Sequence, residues 1–278
     1  MRAGARVAAF GALLVAIFAL AVLAGRALDP ATDAAGSGVD HDASGRGAAH
    51  DAAPAPAHGA ADGGLRLVAQ STTTFAPGRT ADLTFRVVDA HGETVRDFAV
   101  EQSRRMHLVV VRRDLRRYQH LHPTQDRSGA WQTRLTLPDA GVYHAFADFQ
   151  TGGSRRTLGI DLFAGGQFAP LPLPPQRDTA RVDGYDVHLR QHADHAELHF
   201  AVRRGGAPVD DLQPYLGARG HLVVLRAGDL AYAHVHALAA DELAFATDDL
   251  APGRYRLFLQ FRHADRVHTA AFTRAVAP

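Results

Sequence analysis

The sequence predicts an all-β protein: two tandem β-sandwiches carried behind an N-terminal transmembrane helix and a disordered stalk. Three observations lead there. After residue 64 the apolar residues fall in short runs that alternate with polar ones, with glycine and proline turns between them, as strands with one buried face do. The stretch Met106-His107-Leu108-Val109-Val110-Val111, followed after a short gap by Tyr118-Gln119-His120-Leu121-His122, returns as Gly220-His221-Leu222-Val223-Val224-Leu225 and Tyr232-Ala233-His234-Val235-His236. A repeat of this kind is two copies of one folded unit. Finally, the one long uncharged apolar run stands at the extreme N-terminus, Val7 to Leu23, behind Arg2 and Arg6.

That run opens residues 1–27. A spanning helix needs about 17–25 residues, against about 7–15 for the core of a signal peptide. Its length suits an uncleaved anchor, while Val22-Leu23-Ala24 offers a cleavage site. In either case the arginine flank stays cytoplasmic and the rest is exported. The expected location is therefore the cell membrane, single-pass, with the bulk of the chain extracytoplasmic, or secretion if the segment is cleaved. Residues 28–64 are mostly Ala, Gly, Asp, Pro and His. Such a segment cannot bury enough apolar surface to offset its ordering entropy, and reads as a flexible stalk.

Residues 65–166 form the first predicted sandwich. Leu65 to Gln70, Ala81 to Val88, Trp131 to Leu137 and Tyr143 to Phe149 alternate with period two. Turn signals at Pro77-Gly78, His91-Gly92, Ser128-Gly129 and Gly152-Gly153 punctuate them. Residues 167–178, with Pro170, Pro172, Pro174 and Pro175, read as a semi-rigid linker. Residues 179–278 form the second sandwich, through Tyr185 to Arg190, Ala196 to Val202, the repeated histidine strands, Arg254 to Phe261 and Val267 to Phe272. Gly141-Val142-Tyr143 and Gly253-Arg254-Tyr255 place a tyrosine two residues after a glycine at a strand start. That is the tyrosine corner of immunoglobulin-like sandwiches, so both sandwiches are expected to be immunoglobulin-like.

Composition narrows the chemistry. The chain has 278 residues, a formal net charge of +1 and no cysteine, which excludes disulfides, thiolate metal sites and cysteine catalysis. A balanced charge gives no reason to expect nucleic acid. There is no P-loop, G-x-S-x-G or H-E-x-x-H, and no carboxylate recurs beside the histidines, so the protein is not expected to be an enzyme. The 17 histidines are the anomaly, since neutral imidazole is a common metal ligand.

If Arg112 to Arg117 form a hairpin loop, Val109 faces His120 and His107 faces His122. Strand parity then puts His107, His120 and His122 on one face, and Met106, Leu108 and Val110 on the other, in the core. Facing residues have Cβ atoms about 4.5–5.5 Å apart, so three imidazoles could converge on one ion. The repeat predicts a second set, His221, His234 and His236. Imidazoles without sulfur suit copper(II) or zinc. The competing reading is structural. Histidines on a strand face can bond one another, and Val109, Val111 and Tyr118 share that face and need cover from the other domain.

These motifs, with Pro123 after His122 and Ala237 after His236, resemble those of the secreted or membrane-anchored two-domain proteins of high-GC Gram-positive bacteria that are described as heavy-metal-associated. Each domain is loosely similar to extracytoplasmic sandwiches of the copper-handling, YtkA-like kind. The resemblance covers residues 65 to 278 and implies metal handling outside the cytoplasm. The expected function is thus extracytoplasmic binding of copper or zinc, as a chaperone or buffer, with the membrane and an extracytoplasmic protein as the expected partners. The alternative is a non-catalytic adhesion or partner-binding module with structural histidines.

Overall fold

A computed structural model describes residues 61–191, 197–235, 237–247 and 250–277, excepting the side chain of His234. The expected anchor and nearly all of the stalk lie outside the described residues. Among the described residues all regular structure is strand, and no helix is long and apolar enough to cross a membrane.

The first half contains β1 (Ala61–Asp62), β2 (Leu65–Ala69), β3 (Thr74–Phe75), β4 (Thr80–Val88), β5 (His107–Arg112), β6 (Arg116–Leu121), β7 (Thr124–Gln125), β8 (Trp131–Thr136), β9 (Gly141–Thr151) and β10 (Ser154–Ala164). They form two sheets, ordered β1-β2-β4-β8-β7 and β3-β10-β9-β5-β6. Leu83, Phe85 and Trp131 of the first sheet share a buried core with Leu108, Val110, Ala145 and Leu158 of the second. The fold starts slightly before the expected boundary: Ala61 and Asp62, assigned to the stalk, pair with Arg66 and Leu65 across a Gly63-Gly64 turn.

The second half contains β11 (Thr179–Val182), β12 (Tyr185–Gln191), β13 (Glu197–Arg204), β14 (Ala207–Pro208), β15 (Gly220–Arg226), β16 (Tyr232–His234), β17 (Ala244–Ala246), β18 (Gly253–His263) and β19 (Arg266–Val276). One sheet runs β11-β12-β13-β14, with β17 also on β13; the other runs β16-β15-β18-β19. Val187, Leu198 and Phe200 pack against Leu222, Leu257 and Leu259. The tyrosines behave alike in both halves. Tyr143 Oη donates to the Asp139 carbonyl at 2.9 Å, and Tyr255 Oη to that of Ala251 at 2.6 Å.

Parity on β5 follows the sequence. Met106, Leu108 and Val110 point into the first core. Val109 and Val111 point outward, into a third buried cluster with Leu115 and Phe146 from the first half and Val223, Leu225, Leu230, Tyr232 and Phe258 from the second. The two β5 and β15 sheets therefore cover each other's outer faces. Repeat-related residues meet reciprocally: Tyr118 stacks on Phe258 at 4.1 Å, and Tyr232 lies 5.3 Å from Phe146. This is the isologous pattern of a two-fold contact, here within one chain.

The proline-rich segment is tied to the first half rather than spanning free space. Leu171 N donates to Asp114 at 3.1 Å, and Arg116 to the Pro172 carbonyl at 3.1 Å. Asp114 also grips Arg112 through two hydrogen bonds of 2.9 and 2.7 Å, with both side chains buried. Burial alone would raise the Asp114 pKa, but the bonds from Arg112 and Leu171 outweigh it, and the carboxyl lies below its ordinary range.

Candidate metal centre

The histidine site is built on the β5–β6 hairpin. Val109 pairs with His120, the register the parity argument requires. Nearer the loop the register shifts by a bulge and Arg112 pairs with Arg116. The connection is thus tighter than the six-residue loop expected from sequence, and Leu115 and Arg117 take positive φ, 60° and 57°. The irregularity lies at the far end from the histidines and leaves their common face intact.

His107, His120 and His122 offer ligand nitrogens that all lie within 4.8 Å of one another. His107 Nδ1 is 3.1 Å from His120 Nε2. His107 Nε2 donates to the Glu101 carbonyl at 3.1 Å. His120 Nδ1 donates to Gln260 Oε1 of the second half at 2.7 Å. The His122 ring lies 5.2 Å from that of His107 and 4.8 Å from that of His120, and its Nε2 is sealed from water with no hydrogen-bond partner. His107 is buried, whereas His120 and His122 keep part of their surface accessible, leaving a way in from solvent.

Counting protons defines the chemistry. Both outer partners, a carbonyl and an amide oxygen, can only accept. His107 Nε2 and His120 Nδ1 must therefore both carry hydrogen. A neutral imidazole has one N–H, so the two facing nitrogens, His107 Nδ1 and His120 Nε2, present opposed lone pairs. The cluster disfavours the extra proton that would bridge them. Burial, then the neighbouring His221, His107 and His122, push the His120 pKa well below the ordinary value. Burial, with His107 and Arg104 nearby, lowers that of His122 to about 4. A cation satisfies two such lone pairs without adding a proton. Tetrahedral zinc–imidazole bonds hold their nitrogens about 3.3 Å apart, close to the observed 3.1 Å.

The second set is only partly visible. His234 pairs with Val223 as His120 does with Val109, but its side chain, and all of His236, lie outside the described residues. His221 is buried against the first cluster, its ring stacked 5.8 Å from His107 and 4.8 Å from His120. Sequence reasoning missed this contact and missed Gln260. Parity on β18 puts Gln260 on the same face as Phe258, but nothing in the sequence says what covers that face. Five other described histidines have side-chain partners: His144 with Asp161, His188 with Thr179, His199 with Glu197, His263 with Tyr185 and Asp211, and His268 with Asp183.

Residues 60–164 and 180–278 each match a family described as a domain of unknown function, DUF8832. The chain belongs to that family and carries two copies of its domain. No curated protein matches it. Among solved structures it is similar to a mutant of Salmonella alpha-2-macroglobulin, with 17% identity, 81% of this chain and 15% of that one covered, and a TM-score of 0.29. It is likewise similar to Escherichia coli alpha-2-macroglobulin activated by porcine elastase, with 14% identity, 77% and 20% covered, and a TM-score of 0.27. The chain thus spans a fifth or less of those proteins.

Proposed function

We propose that this protein binds a transition-metal ion, copper(II) or zinc, through His107, His120 and His122, and serves outside the cytoplasm as a metal chaperone or buffer. The observation that carries the reading is the convergence of three imidazoles whose ligand nitrogens all lie within 4.8 Å of one another, His107 Nδ1 and His120 Nε2 being 3.1 Å apart. The partial exposure of His120 and His122 suits exchange of an ion better than permanent burial. Extracytoplasmic placement rests on the apolar run after Arg2 and Arg6, and the YtkA-like, heavy-metal-associated resemblance of the motifs agrees with it. The immunoglobulin-like reading of each sandwich rests on the tyrosine corners at Tyr143 and Tyr255. His221, His234 and His236 are proposed as a second set on the strength of the repeat.

One observation favours a second reading. The His107–His120 contact joins the two halves through Gln260, so the histidines could serve only as a polar seam. Titrating the full-length chain with zinc or copper(II) separates the two. Metal binding predicts a tight site lost in His120→Ala and in His122→Ala. A seam alone predicts no binding by the wild type, with lower metal-free stability of the variants as the only effect. Protease added to intact protoplasts tests location, and full protection of the sandwiches would refute export.

A further inference from the structure

We propose that Gln260, a residue of the second sandwich, is the positioning residue of the first sandwich's metal site. By accepting the His120 Nδ1 proton it holds the Nε2 lone pair toward His107. The inference rests on the metal reading above for its function, and on hydrogen-bond geometry for its structural part.

Gln260 is itself held from several sides. Its side chain is buried, its Nε2 donates to Thr269 Oγ1 at 3.4 Å, and Tyr118 Oη lies 3.5 Å from its Oε1. Tyr118 is in turn fixed by its stack on Phe258, two residues before Gln260. The Gln260 Oε1 faces His120 and Tyr118, and its Nε2 faces Thr269. A free imidazole interconverts its two tautomers, and one places the proton on the nitrogen that must bind metal. Outer-sphere acceptors on ligating histidines remove that choice. Here the acceptor comes from the other domain, so the site is complete only when the two sandwiches are docked.

The fold tolerates change at this position. Gln260 pairs with His221 between β18 and β15, and its repeat counterpart Asp148 pairs with His107 between β9 and β5. A carboxylate thus occupies the equivalent place naturally, and Gln260→Glu should fold while keeping an acceptor for His120. Gln260→Leu removes the acceptor at similar volume.

The test uses the full-length chain with zinc alone and copper(II) alone as probes, together with 15N spectra of its histidines. Gln260→Leu should weaken metal binding by about 10–100-fold, the usual cost of losing such a partner, while Gln260→Glu retains wild-type affinity or exceeds it. In metal-free protein the His120 signals should show Nδ1 protonated in the wild type and in Gln260→Glu, and a mixture or the other tautomer in Gln260→Leu. Near-ultraviolet dichroism of the Tyr118–Phe258 stack reports whether docking survives. Wild-type affinity in a docked Gln260→Leu variant overturns the proposal and leaves the metal reading standing. If the wild type binds neither ion, the metal reading falls. The tautomer spectra then decide Gln260 separately, and an unchanged His120 tautomer in Gln260→Leu overturns its positioning role.

Discussion

Metal affinity should resist acid far better than ordinary histidine sites do. Protons compete with the ion for each ligand nitrogen, so the relevant quantity is how protonated the metal-free site already is. An ordinary imidazole, with pKa about 6.5, is about nine-tenths protonated at pH 5.5, which weakens apparent binding about tenfold per ligand. Two such ligands would give about a hundredfold loss between pH 7.5 and 5.5. In this protein burial lowers His122 to about 4 and His120 well below its usual value. At pH 5.5 a group of pKa about 4 is only about 3% protonated. Their joint contribution to the loss over that interval should therefore stay under about twofold. The assay is a competition titration of the full-length chain against a calibrated zinc chelator at both pH values. A loss near a hundredfold would show the ligands to be exposed, ordinary histidines and would refute the buried-cluster argument.

The same depressed pKa values make the metal-free protein acid-sensitive. His122 binds a proton in the unfolded chain below about pH 6.5 but in the folded one only below about 4. Stability from this group is present above that window and is lost as pH falls through it, by about 2 kcal/mol after allowing for solvent screening of the partly exposed ring. Urea denaturation at pH 7 and 4.5 should show the loss, and His122→Asn should flatten it; an equal pH dependence in the variant would refute the assignment. Phe258→Ala should cost about 3–5 kcal/mol, because Phe258 lies in the apolar cluster between the sandwiches against Tyr118. A change under about 1 kcal/mol, closer to the effect of a surface substitution, would mean the halves are not docked this way in solution. Gly220→Ala should cost about 1–3 kcal/mol by overpacking, since a Cβ there would stand 2.4 Å from Leu243 Cδ2 and 2.9 Å from the Gln260 carbonyl. Unchanged thermal unfolding would refute that packing.

Much of this was legible in the sequence for a physical reason. Strand parity is a local property, so alternation around Val109 and the repeated histidine spacing were enough to put His107, His120 and His122 on one face. The β-bulge was not legible, because neither Leu115 nor Arg117 is a residue that advertises positive φ. The tie between the proline-rich segment and Asp114 was hidden too, since prolines describe the stiffness of a segment and not what it lies against. Gly220 could be aligned with Met106, but the reason for glycine, the close approach of Leu243 and the β18 backbone, is a tertiary fact.

The interdomain site was hidden for a deeper reason, and the same reason explains its chemistry. A duplicated domain presents the same outer face twice, and two copies of one face can cover each other by a two-fold contact. Residues near such an axis meet their own repeat counterparts, which is why His107 stacks on His221. Residues one step away meet something different, and there the copies are free to diverge. Gln260 reaches His120 across the contact, whereas its counterpart Asp148 is a buried acceptor for Thr157 and lies near enough to Tyr232 to raise that tyrosine's pKa beyond the effect of burial. An amide leaves the site beside it uncharged, while a carboxylate adds negative charge that favours a bound cation. Substituting each residue with the other's chemistry, Gln260→Glu and Asp148→Asn, should therefore not shift metal affinity the same way: the first leaves it unchanged or raises it, and the second lowers it. Changes in the same direction would show that the two faces do not act as related halves of one metal-binding contact.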